Sequence, residues 1–193
     1  MRQDEYRSTI PEGRSGHWRV ERFTVPKVSI EGFRLALEGR PVRPGQYTRL
    51  VRDGAWDPMM SDTPAEVADV LPFVRAAEGR VLMNGLGLGV ALQAVLRKPE
   101  IEAVDVVEIE PDIISLVGRH FTDRRLTIHH ADAFTIQWPP GKRWDFVWHD
   151  IWPSICSDHL AQMRRLRRRY AERTTWQGGW AEMECRSPRF IRP

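Results

Sequence analysis

The stretch Val81-Leu82-Met83-Asn84-Gly85-Leu86-Gly87-Leu88-Gly89-Val90 decides how the chain is read. A short apolar run leads without alternation into three glycines spaced two apart, and an apolar pattern then resumes from Val90 to Arg97 before Pro99. That order predicts a short buried strand, a tight turn and a helix. Glycines in such a turn let the backbone fold tightly and approach a ligand closely. Downstream the pattern repeats. Residues 103–109 (AVDVVEI) read as a strand, and Pro111 opens a helix through about Arg119. Leu126–His129 and Asp145–His149 read as third and fourth strands. Leu160, Met163, Leu166 or Arg167, and Tyr170 mark one helix face, and Gly178-Gly179 leads into a last strand, Trp180–Cys185. Strands alternating with helices at this spacing predict a mostly parallel sheet with helices on both faces, whose carboxyl edge takes the ligand.

Working backwards from Gly79, the texture changes. Thr63-Pro64-Ala65-Glu66 reads as a capping box with proline at the first helical position. Val67, Val70, Leu71 and Val74 follow as a helical stripe, with Pro72 kinking or ending it. Phe33, Leu35 and Leu37 alternate as in a half-buried strand, GRPVRPG (39–45) supplies a turn, and Tyr47–Val51 returns as a second strand. Residues 1–26 read as a loose polar arm. Two regions result: an arm, hairpin and capped helix over 1–78, and an α/β domain over 79–193.

Length and composition bound the class. A chain of 193 residues makes one core without staples, and 41% hydrophobic with 28% charged residues is ordinary for a globular protein. No apolar run approaches a membrane span and the first residues are too polar for a signal peptide, so a cytoplasmic protein is expected. Cys156 and Cys185 fit a reducing compartment, and neither has zinc-site spacing, so no metal is expected. The net charge of +3 is too small to be a nucleic-acid footprint by itself.

Three elements carry the chemistry. Asn84 and Gly85, Gly87 and Gly89 form the turn after the first α/β strand. Glu108 lies 19 residues beyond Gly89 at the next strand's end, where an acid grips ribose hydroxyls. Asp132, in HHADAF at the third strand's end, is placed to accept from an adenine amino group. Together they favour a nucleoside site over turns that only look the part.

Here the chain resembles the class I S-adenosylmethionine-dependent methyltransferases, and within that fold the spermidine-synthase-like branch. The resemblance covers about residues 79–185 and rests on VLMNGLGLGVALQAVL, VDVVEIEPDII, HHADAF, WDFVWHD and GGWAEMEC. It implies a Rossmann-like three-layer α/β sandwich, with the family's final antiparallel hairpin expected to be missing here. It also implies S-adenosylmethionine or decarboxylated S-adenosylmethionine as cofactor. Gly85, Gly87 and Gly89 would shape the loop beside it, Glu108 would hold the ribose, Asp132 and the Ala133 backbone would read the adenine, and Ile109 would pack on its ring. Two departures favour methyl over aminopropyl transfer: Leu88 replaces an Asp of spermidine synthases, and Asp150-Ile151-Trp152-Pro153-Ser154 keeps only the first acid of their DSSDP-like stretch. By the same analogy the N-terminal hairpin would pair two copies in a homodimer.

His149 and Asp150 end the fourth strand, where the fold places substrate or base residues. Asp150 can deprotonate an amine or hydroxyl nucleophile, and His149 can relay the proton. The structural alternatives are Asp150 capping a turn and His149 packing inside the sheet. Trp152 can wall a planar acceptor or simply pack. Arg164-Arg165-Leu166-Arg167-Arg168-Arg169 reads first as a solvated helix face and second as a nucleic-acid surface. The expected function is methyl transfer to an unidentified acceptor, a small molecule in preference. Aminopropyl transfer is the alternative, and a non-catalytic nucleoside-binding module the second alternative.

Overall fold

A computed structural model describes residues 6–27, 42–55 and 58–187. Two sheets organise it. The first is antiparallel, in the order β1 (Gly13–Ser15), β2 (Trp18–Val25), β3 (Gly45–Arg52), β4 (Met60–Ser61). The second contains β5 (Gly79–Asn84), β6 (Ile101–Glu108), β7 (Leu126–His130), β8 (Trp144–His149) and β9 (Thr174–Gly179). Its order is β7-β6-β5-β8-β9 and every pairing is parallel. The helices are α1 (Pro64–Ala76), α2 (Val90–Leu96), α3 (Pro111–Leu116), α4 (Leu160–Tyr170) and the single turn α5 (Glu182–Cys185). This is the Rossmann-like α/β fold expected from the sequence. The order runs outward from β5 in both directions, so the crevice between β5 and β8 is the switch point where ligands of such sheets bind.

The parallel sheet separates two apolar layers. On one side Val81, Met83, Val104, Val106 and Trp148 pack with α1, α2 and α3. On the other, Leu82, Val107 and Val147 pack with Met163, Leu166 and Tyr170 of α4. Both faces being covered explains why β5, β6 and β8 are largely apolar and buried. One charge interrupts β6. Asp105 is buried, and Lys142 Nζ at 2.7 Å, His129 Nε2 at 2.8 Å and Trp144 Nε1 at 2.7 Å surround it. A buried carboxylate needs such compensation.

The reading of residues 1–26 as a loose arm is corrected for residues 6–25. Tyr6 and Ile10 are buried, and Thr9 donates through N and Oγ1 to Gln93 Oε1 of α2. Trp18 and Val20 alternate with polar residues on β2, which pairs with β3 along its full length. An inner face of only two buried residues, on a strand polar elsewhere, gives too weak a period to announce itself. Tyr47–Val51 lies in β3 as expected, but its described partner is β2. The proposed strand at Phe33–Leu37 lies outside the described residues.

Two further expectations change. Pro72 neither ends nor visibly interrupts α1, which continues to Ala76 with Pro72 on its exposed side. The last strand is Thr174–Gly179, and residues 182–185 are helical, not extended. Gly178 and Gly179, expected to lead into the last strand, lie within it. A Cβ on Gly178 would sit 2.7 Å from the Trp176 ring and 3.1 Å from the Trp148 ring. Close ring packing, not chain reversal, requires glycine there. Phe73 of α1 stacks on Trp148 at 5.1 Å and on Trp176 at 6.1 Å, so this aromatic cluster fastens α1 to the sheet.

Candidate cofactor and acceptor site

The carboxyl edge of the parallel sheet brings the glycine turn, Glu108, Asp132 and Asp150 onto one rim. Gly85 makes the first junction. Its φ is +103°, and a Cβ there would lie 2.0 Å from the Asp150 carbonyl oxygen. The Asp150 N–H donates to Asn84 O at 2.8 Å, which draws the ends of β5 and β8 together. Only a residue without a side chain fits between them. Gly87 (φ +52°) faces the opposite way, with the Met60 sulfur 2.8 Å from its Cβ position. Gly89 starts α2 against Phe121.

Glu108 is 6% exposed and already engaged. Its Oε2 accepts the Leu86 N–H at 2.9 Å and its Oε1 accepts the Glu110 N–H at 2.9 Å. It therefore anchors the glycine loop, while each carboxylate oxygen keeps a second lone pair. Asp132 is half-buried and accepts the Phe134 N–H on Oδ1 at 2.8 Å; Oδ2 has no protein partner among the described residues. Ala133 is buried, and its carbonyl accepts the Tyr170 hydroxyl at 3.2 Å. Ile109, 59% exposed, stands beside Glu108 with its side chain free for a planar group to cover.

Loop donors complete the edge. The Gly87 N–H carries no hydrogen bond among the described residues. The Leu88 N–H donates only to the Met60 thioether, at 3.2 Å, and sulfur is a weak acceptor. Two adjacent amide donors of this kind suit a carboxylate.

His149 and Asp150, adjacent in sequence, diverge in space. His149 is 1% exposed; Asn84 Nδ2 lies 2.8 Å from its Nδ1 and Gln177 Oε1 lies 3.3 Å from its Nε2. With the amide nitrogen donating to Nδ1, the ring proton sits on Nε2. Burial lowers its pKa to about 4, so the ring is neutral. It lies against Tyr170, within the α4 layer. The structure thus places His149 away from the cavity that Asp150 lines, and Asn84 beneath the glycine turn with no exposed surface.

Asp150 faces a cavity lined also by Met59, Met60, Glu66, Trp152 and Trp180. Burial pushes its carboxyl up to about 7, reinforced by the negative charges of Glu66 and Asp69. The Trp148 indole N–H works the other way. The cavity measures about 30 Å³, room for about two waters and not for a nucleoside. Met60 occupies the space between it and the loop.

Sequence reasoning missed Glu66, Asp69, Met60 and Trp180. Glu66 was read as half of a capping box; it accepts from Ser61 N at 2.6 Å and Ser61 Oγ at 2.7 Å, while Thr63 makes no side-chain cap. Asp69 accepts the Trp180 indole N–H at 3.1 Å across 111 residues of sequence, a contact with no local signal. Among the described residues no group of three His, Cys, Asp or Glu is placed to hold a metal ion, and no helix is long and apolar enough to cross a membrane.

A doubly wound parallel sheet with a glycine turn and a row of acids at its switch point defines the class. Comparison with known proteins does not resolve it further. No family model matches the chain. The chain is similar to polyamine aminopropyltransferases 2 and 1 of Ralstonia nicotianae, each 37% identical over 76 residues. That match covers 33% of this chain but only 15% and 14% of those relatives. Among solved structures, the N-methyltransferase NodS from Bradyrhizobium japonicum WM9 is 14% identical with a TM-score of 0.40, covering 51% of this chain and 53% of its own. An S-adenosylmethionine-dependent methyltransferase from Mesorhizobium loti is 17% identical with a TM-score of 0.41, covering 54% of this chain and 48% of its own. The fold rests on this chain's own strand order, not on those superpositions.

Proposed function

We propose that the chain is an S-adenosylmethionine-dependent methyltransferase whose acceptor is an amine or hydroxyl nucleophile. The observation that carries this reading is the pair of loop amides. Gly87 and Leu88 offer two N–H donors, with no acid at position 88 to hold an ammonium end. The donors match the carboxylate that S-adenosylmethionine has and its decarboxylated form lacks. Glu108 would receive the ribose on its free lone pairs, Asp132 Oδ2 and the region of Ala133 the adenine, and Ile109 the ring face.

When bound, S-adenosylmethionine supplies a methyl group activated on a sulfonium. Displacement there is helped chiefly by alignment of the reacting atoms. Asp150 orients the acceptor and takes its proton. A carboxyl titrating near neutrality is matched to that task. Glu66 and Asp69 add negative charge around it, which favours an acceptor arriving as a cation. Trp152 and Trp180 wall the approach.

The same acidic surroundings, and the likeness to polyamine aminopropyltransferases, support aminopropyl transfer as the second reading. Transfer of label from methyl-labelled S-adenosylmethionine to a panel of amines and hydroxyl compounds tests the choice. Label in the acceptor, lost in Asp150→Asn with nucleoside affinity retained, is the expected outcome. Nucleoside binding without transfer to any acceptor would leave a binding module instead.

A further inference from the structure

The sheet edge opens on its α4 side into a second concavity, about 530 Å³, lined by Arg164, Arg167, Arg168, Glu182, Met183 and Arg186. Four guanidinium groups face one carboxylate there. The formal charge of these side chains is therefore +3.

The ion pairs sort these residues. Glu182 accepts from Arg167 at 2.7 Å and from Arg186 at 2.6 Å, and is thereby used up. Arg164 and Arg168 are exposed, one turn apart on α4, and have no carboxylate partner among the described residues. Their spacing of four residues puts them about 6 Å apart along the axis. Met183 of α5, 82% exposed, presents an apolar surface to the same groove. Beside the groove the Arg165 guanidinium lies over the Phe134 ring at 5.0 Å, a stacked pair at the surface. A row of forked cations suits phosphate oxygens. An exposed thioether and a guanidinium–ring platform suit the flat faces of bases, which an acidic peptide lacks.

We propose that the α4/α5 groove binds the phosphodiester backbone of a nucleic-acid strand through Arg164 and Arg168, with Arg167 and Arg186 as secondary contacts. Both walls connect to the cavity of Asp150. Trp152, in the cavity, donates its indole N–H to Gln162 of α4 at 3.1 Å, and Trp180, also in the cavity, leads directly into α5. A strand held in the groove would bring an acceptor to Asp150; that part rests on the proposed transfer, whereas binding to the groove does not.

The test uses the full chain and fluorescein-labelled RNA and DNA strands of about 20 nucleotides, read by anisotropy between about 50 and about 200 mM salt. Binding of at least one strand, weakening steeply with salt, is expected. Arg164→Glu with Arg168→Glu should weaken it at least about tenfold and flatten the salt dependence, whereas Arg164→Lys with Arg168→Lys should keep most of it. Both positions are exposed, so the variants should melt as the wild type does and titrate with S-adenosylmethionine unchanged. That second readout separates failure of the groove from failure of the proposed methyl transfer. No binding at the lowest salt, or equal binding by the charge-reversed variant, would overturn the proposal. Displacement of the strands by polyglutamate at equal charge would also overturn it, in favour of an acidic protein partner.

Discussion

The Met60 sulfur accepts the N–H of Leu88 at 3.2 Å and lies 2.8 Å from where a Cβ on Gly87 would be. Strand β4, only two residues long, thereby fills the ground over the glycine loop. A nucleoside reaching both loop amides must displace that side chain.

Met60→Ala should therefore tighten S-adenosylmethionine binding, by about tenfold if the displaced contact is worth a typical weak hydrogen bond plus packing. Met60→Leu, which keeps the bulk, should not. Calorimetric titration of the two variants checks this. Weaker binding by Met60→Ala than by wild type would make Met60 part of the cofactor's wall instead.

Asp150→Asn keeps the shape of the side chain but cannot take a proton. Turnover should fall by about 10² to 10⁴ while cofactor affinity is retained. The wild-type rate should rise with pH and level off above about 7, as the carboxyl loses its proton. A flat profile through that range would assign Asp150 to turn capping.

Stability carries the same titration with a definite sign. The Asp150 pKa rises from about 4 unfolded to about 7 folded, so the unfolded chain releases its proton first. Its contribution to stability is lost as pH rises from about 4 to about 7. His149 acts oppositely: its folded value of about 4 lies below an unfolded value of about 6.5, so stability is lost as pH falls through that interval. Denaturant titrations should show Asp150→Asn gaining on the wild type up to about pH 7 and running parallel above it. A constant gap from pH 4 to pH 8 would contradict the elevated carboxyl.

Gly85→Ala should damage both fold and site. The left-handed backbone and the 2.0 Å clash with Asp150 O together cost about 3 kcal/mol or more. For a chain of this size that lowers the melting temperature by about 6 to 12 °C. An unchanged melting curve would show that β5 and β8 separate freely at their ends.

Much of the parallel sheet was legible because β5, β6 and β8 carry buried apolar runs that stop at a glycine turn or an acid. Glu108 and Asp132 were legible for the same reason, lying where apolar runs stop. What escaped depends on distance. Tyr6 and Ile10 are buried in an arm held by Gln93, more than 80 residues away, and by Asp62, more than 50 away. Gly178 imitates a turn because a glycine that makes room for rings is indistinguishable in sequence from one that reverses the chain. His149 stood beside Asp150 in the sequence, but successive strand residues face opposite sides, so burial against Tyr170 removes it from the cavity.

Gly87 and Leu88 are proposed to hold a carboxylate, and calorimetric titration of the protein with S-adenosylmethionine and with its decarboxylated form decides it. Two charge-assisted hydrogen bonds should make the carboxylated form bind at least about tenfold more tightly. Tighter binding of the decarboxylated form, or binding of neither, would contradict it.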